Sequence, residues 1–142
     1  MRPVEHVDMV GCDHGNVHEL VAEADIICCC TTARESVFDG ELVADHATVV
    51  AIGSHEPDAR ETDDTFASRA TIVVESRASA LREGGDVILA IDAGATTADQ
   101  LVTLSQLVRR EANPPTGQPR LFKSTGMSWE EAIIASALTN PA

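Results

Sequence analysis

The sequence predicts an α/β fold, a parallel sheet flanked by helices in a three-layer α/β/α arrangement. Three observations carry that prediction. Strand-length runs of β-branched and aliphatic residues begin at Asp25, Thr48 and Thr71, evenly spaced and separated by helical stretches. Strands joined through helices make right-handed crossovers and therefore a parallel sheet. The runs are continuously apolar rather than alternating, the pattern of strands covered on both faces. Finally, with three Phe, one Trp and no Tyr, the interior has to be built from Val, Ile, Leu and Ala, as in parallel α/β cores. At 142 residues, 44% hydrophobic and 23% charged, the chain has the size of one domain.

In chain order, Val7–Val10 reads as a short strand closed by Gly11 and Gly15. Asn16 and Glu19 have the spacing of a capping box, so a helix is expected from Val17 to Ala24. Asp25–Cys30 is the first buried strand and runs into the loop Thr31-Thr32-Ala33. Thr48–Ile52 is the second, stopped by Gly53 and followed by the polar loop Ser54–Asp58. A short helix with an acidic start is expected over Asp64–Arg69, and Thr71–Val74 is the third strand. Ser76 opens a helical stretch to Arg82 that Gly84 and Gly85 end. Past Asp86 the pattern changes, and Val87–Ile91 is apolar. Thr97 and Gln100 form a second capping box ahead of a helix with Leu101, Val102, Leu104, Leu107 and Val108 on one face, and Arg109 and Arg110 suit its C-terminus. Asn113–Pro119 has the composition of an exposed linker. Arg120–Lys123 is extended, and Ser128–Glu131 is a third capping box heading a helix with Ile133, Ile134, Ala137 and Leu138.

Charge and composition exclude whole classes of partner. Ten Lys+Arg against 23 Asp+Glu leave a net charge of −13, which repels nucleic acid and anionic membrane surfaces, and there are too few aromatics for a base-stacking platform. No apolar run approaches the ~20 residues of a spanning helix. The first residues lack a basic flank and apolar core, so no signal peptide and a cytoplasmic location are expected. Cys28, Cys29 and Cys30 are consecutive in a strand, where neighbouring side chains point to opposite faces and disulfide geometry is poor; they read as small buried hydrophobes. Cys12, His14 and His18 have metal-like spacing, but no CxxC or HExxH accompanies them. They read as a surface turn, and no metal site is expected.

In an open parallel sheet, ligands gather at the carboxyl ends of the strands. That points to Thr31-Thr32, to Gly53-Ser54-His55 and to the turn after Val74. Small polar residues there suit a ribose or pyrophosphate and equally suit ordinary turns. No GxGxxG occurs anywhere, and Gly11 and Gly15 have the wrong spacing for one. Asp63 and Asp64 complement the dipole of the helix they begin, Arg60 and Glu61 read as surface residues holding the loop, and Trp129 reads as a packing residue.

Four ordered blocks carry a resemblance: Ala24–Ile27 through Thr31-Thr32-Ala33 to Gly40; Ala51-Ile52-Gly53-Ser54-His55 through Glu61 with Asp63-Asp64; Glu75-Ser76-Arg77 through Ala80 to Asp86; and Leu121-Phe122-Lys123-Ser124-Thr125-Gly126-Met127 into Glu130-Glu131. In order and spacing the chain resembles the ornithine cyclodeaminase/mu-crystallin family. The resemblance implies a partial Rossmann-like domain binding NAD or NADP. It also implies chemistry at an amino-acid Cα: oxidation to an imine, reduction of a cyclic imine, or deamination with cyclisation. Carried over by position, Cys30, Thr31 and Thr32 would border the dinucleotide and Ile52 and Gly53 its nicotinamide side. Lys123, Ser124 and Gly126 would line the nicotinamide and substrate pocket, with Glu83 and Ser124 facing the substrate. His55 stands where the cyclodeaminases proper have an Asp, which argues against ornithine cyclodeamination and makes His55 the candidate proton carrier.

The resemblance further implies that an N-terminal substrate domain and a glycine-rich phosphate turn precede the matched part, and this sequence starts beyond them. The expectation is therefore a truncated or split member, weakly active or inactive alone, that forms a homodimer or pairs with a complementing N-terminal chain. The division expected is a partial NAD(P)-binding domain over 1–111, a linker over 112–119 and a C-terminal segment over 120–142 that would pack on the absent domain. An enzyme competent in its own right and a non-catalytic binding or oligomerisation module are the alternatives. NAD against NADP, and the identity of the amino acid or cyclic imine, stay open.

Overall fold

A computed structural model of the chain describes residues 3–11 and 15–139. Within them five short strands form one sheet: β1 (Ile26–Cys29), β2 (Thr48–Ala51), β3 (Thr71–Val74), β4 (Val102–Thr103) and β5 (Arg120–Lys123). They lie in the order β1-β2-β5-β3-β4, every pair parallel. Six helices accompany them: α1 (Val17–Glu23), α2 (Asp64–Arg69), α3 (Arg77–Glu83), α4 (Gly85–Asp92), α5 (Leu104–Val108) and α6 (Ser128–Thr139).

Local chemistry explains most of these boundaries. The Asp63 carboxylate caps α2 by accepting from Phe66 N at 2.8 Å, and the fully buried Phe66 fixes the helix to the core. Ser76 caps α3, and Gly84 ends it with its N–H on the Ala80 carbonyl. Gly85 opens α4 at a close approach of two backbones, since a Cβ there would stand 2.0 Å from the Ala59 carbonyl oxygen. That contact sets the next residue, Asp86, beneath the loop preceding α2.

Register and alternation divide the sheet into two faces. Ile27, Cys29, Val49, Ala51, Leu121, Lys123, Ile72 and Val74 share one face by pairing. Apart from the half-buried Ile27, all of these are buried. On the other face Thr71 and Val73 are buried, Val50 and Phe122 are half-buried, and Ile26 and Cys28 at the edge are exposed.

Several expectations change. Val7–Val10 forms no strand: residues 3–11 are exposed and have no sheet neighbour, and an apolar run without a partner gains nothing by extending. The helix expected to carry Leu101 starts three residues later. Thr103 and Gln106 form the capping box that is used, while Thr97 and Gln100 close only a 3₁₀ turn; Leu101 is buried, and Val102–Thr103 pairs with β3. Val87–Ile91 is helical, within α4. α1 begins where expected, but the Asn16 side chain does not cap it. Arg120–Lys123 is the middle strand of the sheet rather than part of a separate segment, so the division at 112–119 separates no unit from the sheet. Of the three consecutive cysteines only Cys29 is buried; Cys28 and Cys30 are exposed and unpaired, because Cys28 lies on the less covered face of β1 and Cys30 lies beyond the end of the strand. Cys12 and His14, and the Ser128 and Glu131 side chains of the third capping box, lie outside what is described. No helix among the described residues is long and apolar enough to cross a membrane.

Candidate functional site at the carboxyl ends of the strands

Because β1, β2 and β5 are parallel neighbours, the segments leaving their carboxyl ends emerge side by side. Their spacing is held from below by a carboxylate. Glu61, fully buried, accepts from Thr31 N at 2.7 Å, Thr31 Oγ1 at 2.9 Å and Gly53 N at 2.8 Å. Gly53 is fixed as glycine by the same closeness, since a Cβ would stand 2.2 Å from the Thr31 carbonyl oxygen and 2.5 Å from Glu61 Oε1.

A second buried acid holds the first. Asp86 Oδ1 accepts from Glu61 N, Thr62 N and Thr62 Oγ1 at 2.8, 2.8 and 2.9 Å. Its Oδ2 lies 3.0 Å from Lys123 Nζ, both side chains being wholly buried, and the ammonium donates to the Ser54 carbonyl at 2.5 Å. Coulomb attraction between Lys123 and Asp86 is strong in such surroundings, and breaking the pair would leave an uncompensated buried charge. Beside it, burial, then the negative charges of Glu61 and Asp86, push the Cys29 thiol far above its ordinary pKa, which keeps it neutral.

On the β3 side, Ser124 Oγ donates to Glu75 Oε1 at 2.8 Å and accepts from Gly126 N at 3.1 Å. Gly126 has φ +78°, open to glycine without strain. Glu75 Oε2 is buried without a hydrogen-bond partner. Loss of hydration, then the charge and hydrogen bonding of Glu75, raise the pKa of Glu130 from its ordinary value. A proton on Glu130 would supply the donor that Glu75 lacks.

The surface between these loops is a crevice of about 60 Å³ lined by Thr32, Ala33, Arg34, Gly53, Ser54, His55, Glu56 and Ala59. Arg34 spans it, paired to Glu56 at 2.9 Å and Asp58 at 2.5 Å. Among the sequence-predicted residues, His55 and Thr32 line it and are exposed, and Gly53 lines it with its N–H committed to Glu61. Cys30 is exposed, Ile52 is 49% exposed, and Ser124 and Gly126 sit at the end of β5. Lys123 reaches the same strand end, but its ammonium is turned inward to Asp86 and offers nothing to a pocket. Glu83 lies apart, at the end of α3, with its carboxylate 3.0 Å from Arg82. Among the described residues no group of three His, Cys, Asp or Glu is arranged for a metal ion.

Sequence reasoning missed Glu61, Asp86, Glu75 and Glu130. Glu61 is interior rather than on the surface, because three backbone and hydroxyl donors replace its water. One signal was present: Lys123 is the chain's only lysine and stands in an apolar strand, where an ammonium needs a buried acid. Nothing in the sequence distinguishes Glu61 from its acidic neighbours Asp63 and Asp64.

The ornithine cyclodeaminase/mu-crystallin family model matches residues 4–140. The chain belongs to this family. Ketimine reductase mu-crystallin of Rattus norvegicus is 36% identical over 120 residues, covering 84% of this chain and 36% of the relative. Delta(1)-pyrroline-2-carboxylate reductase of Colwellia psychrerythraea is 32% identical over 126 residues, 87% of this chain and 40% of that protein. The structure of the Thermococcus litoralis Delta(1)-pyrroline-2-carboxylate reductase in complex with NADH and L-proline superimposes with a TM-score of 0.78 at 29% identity, covering 87% of this chain and 41% of that one. The sheet and flanking helices of this chain thus match part of that structure, and the chain spans 36 to 41% of the length of these relatives.

Proposed function

We propose that this chain supplies the nicotinamide-facing part of an NAD(P)-dependent site where a small amino acid or cyclic imine is oxidised or reduced at Cα. The observation that carries the reading is the convergence of Thr31-Thr32, Ile52–His55 and Lys123–Gly126 at neighbouring strand ends, in a family whose relatives include reductases of cyclic imines.

These residues fit one end of a dinucleotide. Ile52, half-exposed at the end of a buried strand, gives a flat ring an apolar surface, and the exposed Thr32 offers a hydroxyl to a ribose or an amide. The phosphate end has no such provision. Arg34 is tied to Glu56 and Asp58, Arg60 to Asp64 and Lys123 to Asp86, so no arginine or lysine of these loops is left to neutralise a pyrophosphate. When bound, the nicotinamide supplies or takes a hydride at the substrate Cα. His55, lining the crevice, would carry the accompanying proton. Ser124 would face the substrate with its hydroxyl oriented by Glu75, and Cys30, Gly53 and Gly126 would border the cofactor through backbone or small side chains. Glu83 would join them only by leaving Arg82. Lys123 would act from behind, through Ser54. A cytoplasmic setting fits the exposed, unpaired Cys28 and Cys30, which a reducing compartment keeps free.

A second reading, a non-catalytic oligomerisation module, is favoured by α6, where Trp129, Ile133, Ile134 and Leu138 are 56 to 79% exposed. Such residues suit a second copy or a complementing chain. Titration of the purified chain with NADH and NADPH, following fluorescence and melting temperature together, separates the readings. Saturable binding with a melting temperature that climbs with ligand, followed by turnover of a cyclic imine, is the expected result. No response up to millimolar nucleotide, in a chain that dimerises, would overturn it in favour of the module.

A further inference from the structure

Thr31 and Gly53 present three hydrogen-bond donors to one point between β1 and β2, and the occupant of that point is the chain's own Glu61. Converging backbone N–H groups and a hydroxyl form an anion cradle, and here it is filled from within. The side chain that fills it is fully buried, and the backbone that carries it is fixed by Asp86, which takes Glu61 N, Thr62 N and Thr62 Oγ1 on one oxygen. Asp86 is in turn neutralised by Lys123, whose remaining bond holds the Ser54 carbonyl. The line Thr31, Glu61, Asp86, Lys123, Ser54 therefore joins the carboxyl ends of β1, β2 and β5, the three that carry the proposed cofactor residues.

We propose that Glu61 and Asp86 are positioning residues for nucleotide binding: they set the separation of Thr32 from Ile52 and His55 without touching the ligand. The proposal rests on the NAD(P) reading above. It follows that Thr31 contributes neither its N–H nor its hydroxyl to a ligand, since Glu61 holds both. It follows also that a neutral amide at position 61 fails, because its NH2 faces donors on Thr31 and Gly53 and one of them loses its acceptor.

The test compares the unaltered chain with Glu61→Gln and Thr62→Val, the second being a milder change that removes a single donor from Asp86. Each is titrated with NADH by fluorescence, its melting temperature is recorded, and amide exchange at Thr31 and Gly53 is followed by NMR. Both variants are expected to fold. The dissociation constant for NADH should rise at least about tenfold in Glu61→Gln and about threefold in Thr62→Val, with faster exchange at Thr31 and Gly53. A merely structural role would lower the melting temperature while leaving the affinity of the folded protein unchanged, and that result overturns the inference alone. If Glu61→Gln does not fold, Thr62→Val decides by the same criterion. Absence of NADH binding by the unaltered chain would strike the proposed function first and the inference with it.

Discussion

The two faces of the sheet are made of the same kinds of residue and meet different fates. On one, Val49, Ala51, Ile72, Val74 and Leu121 are each 2% exposed or less; on the other, Thr71 and Val73 of β3 are buried, but Val50 and Phe122 are half-covered and Ile26 at the edge is 63% exposed. Apolar composition thus does not decide burial; cover by other elements does. The buried charges sit on the better-covered side as well. An ion can be kept out of water only where rigid neighbours supply its hydrogen bonds, and Lys123, Asp86 and Glu61 find them beneath the packed face rather than the loose one.

The largest effect should come from breaking the buried pair. Lys123→Met leaves Asp86 without its counter-charge and is expected to cost about 3–5 kcal/mol in urea unfolding. Lys123→Met combined with Asp86→Asn should recover part of that loss, and a double variant no better than the single would mean that the two charges are not coupled. Next, Leu121→Ala on the covered face is expected to lose about 2–5 kcal/mol, while Ile26→Ala on the loose face should stay within about 0.5 kcal/mol. Equal losses would erase the distinction between the faces.

Chemistry sharpens the same contrast without altering the sequence. Iodoacetamide at neutral pH should modify Cys28 and Cys30 and spare Cys29 until the chain unfolds, since Cys29 is buried beside two carboxylates and held neutral. Mass mapping of the labelled peptide reads the outcome, and early labelling of Cys29 would show the covered face to be open.

The smallest effect concerns Glu130, whose pKa is raised on folding. Between the unfolded and the raised value the folded chain binds more protons than the unfolded one, so stability falls as pH rises through that interval. The penalty is absent below the ordinary glutamate value and complete above the raised one. Glu130→Gln should therefore melt slightly higher than the unaltered chain at pH about 7, with the difference vanishing towards pH about 4. A difference that grows on acidification would contradict the contact with Glu75.

Much of this architecture was legible in advance. The bounds expected for α2 and β3, Asp64–Arg69 and Thr71–Val74, are those observed, because a capping aspartate and a β-branched run act within a few residues. The blocks Thr31-Thr32, Ile52-Gly53-Ser54-His55 and Lys123-Ser124 could be linked only through their order in a family, and the parallel pairing of β1, β2 and β5 is the physical reason their strand ends lie side by side. The start of the helix after Leu101 was not legible: the Thr97 box satisfies the local rule, but Val102 and Thr103 pair with β3 and the helix begins behind a box at Thr103.

By itself, then, the sequence determined the aliphatic character of the core, the kind and extent of most helices and strands, and a net charge of −13. Those follow from composition and from interactions between near neighbours in the chain. Only the tertiary structure decided that Arg120–Lys123 would lie between β2 and β3, that Glu61 would be interior, and that Lys123 would face Asp86 rather than a ligand. Each depends on contacts between residues far apart in the chain, where the entropy of closing a loop is repaid only by a particular partner at the other end.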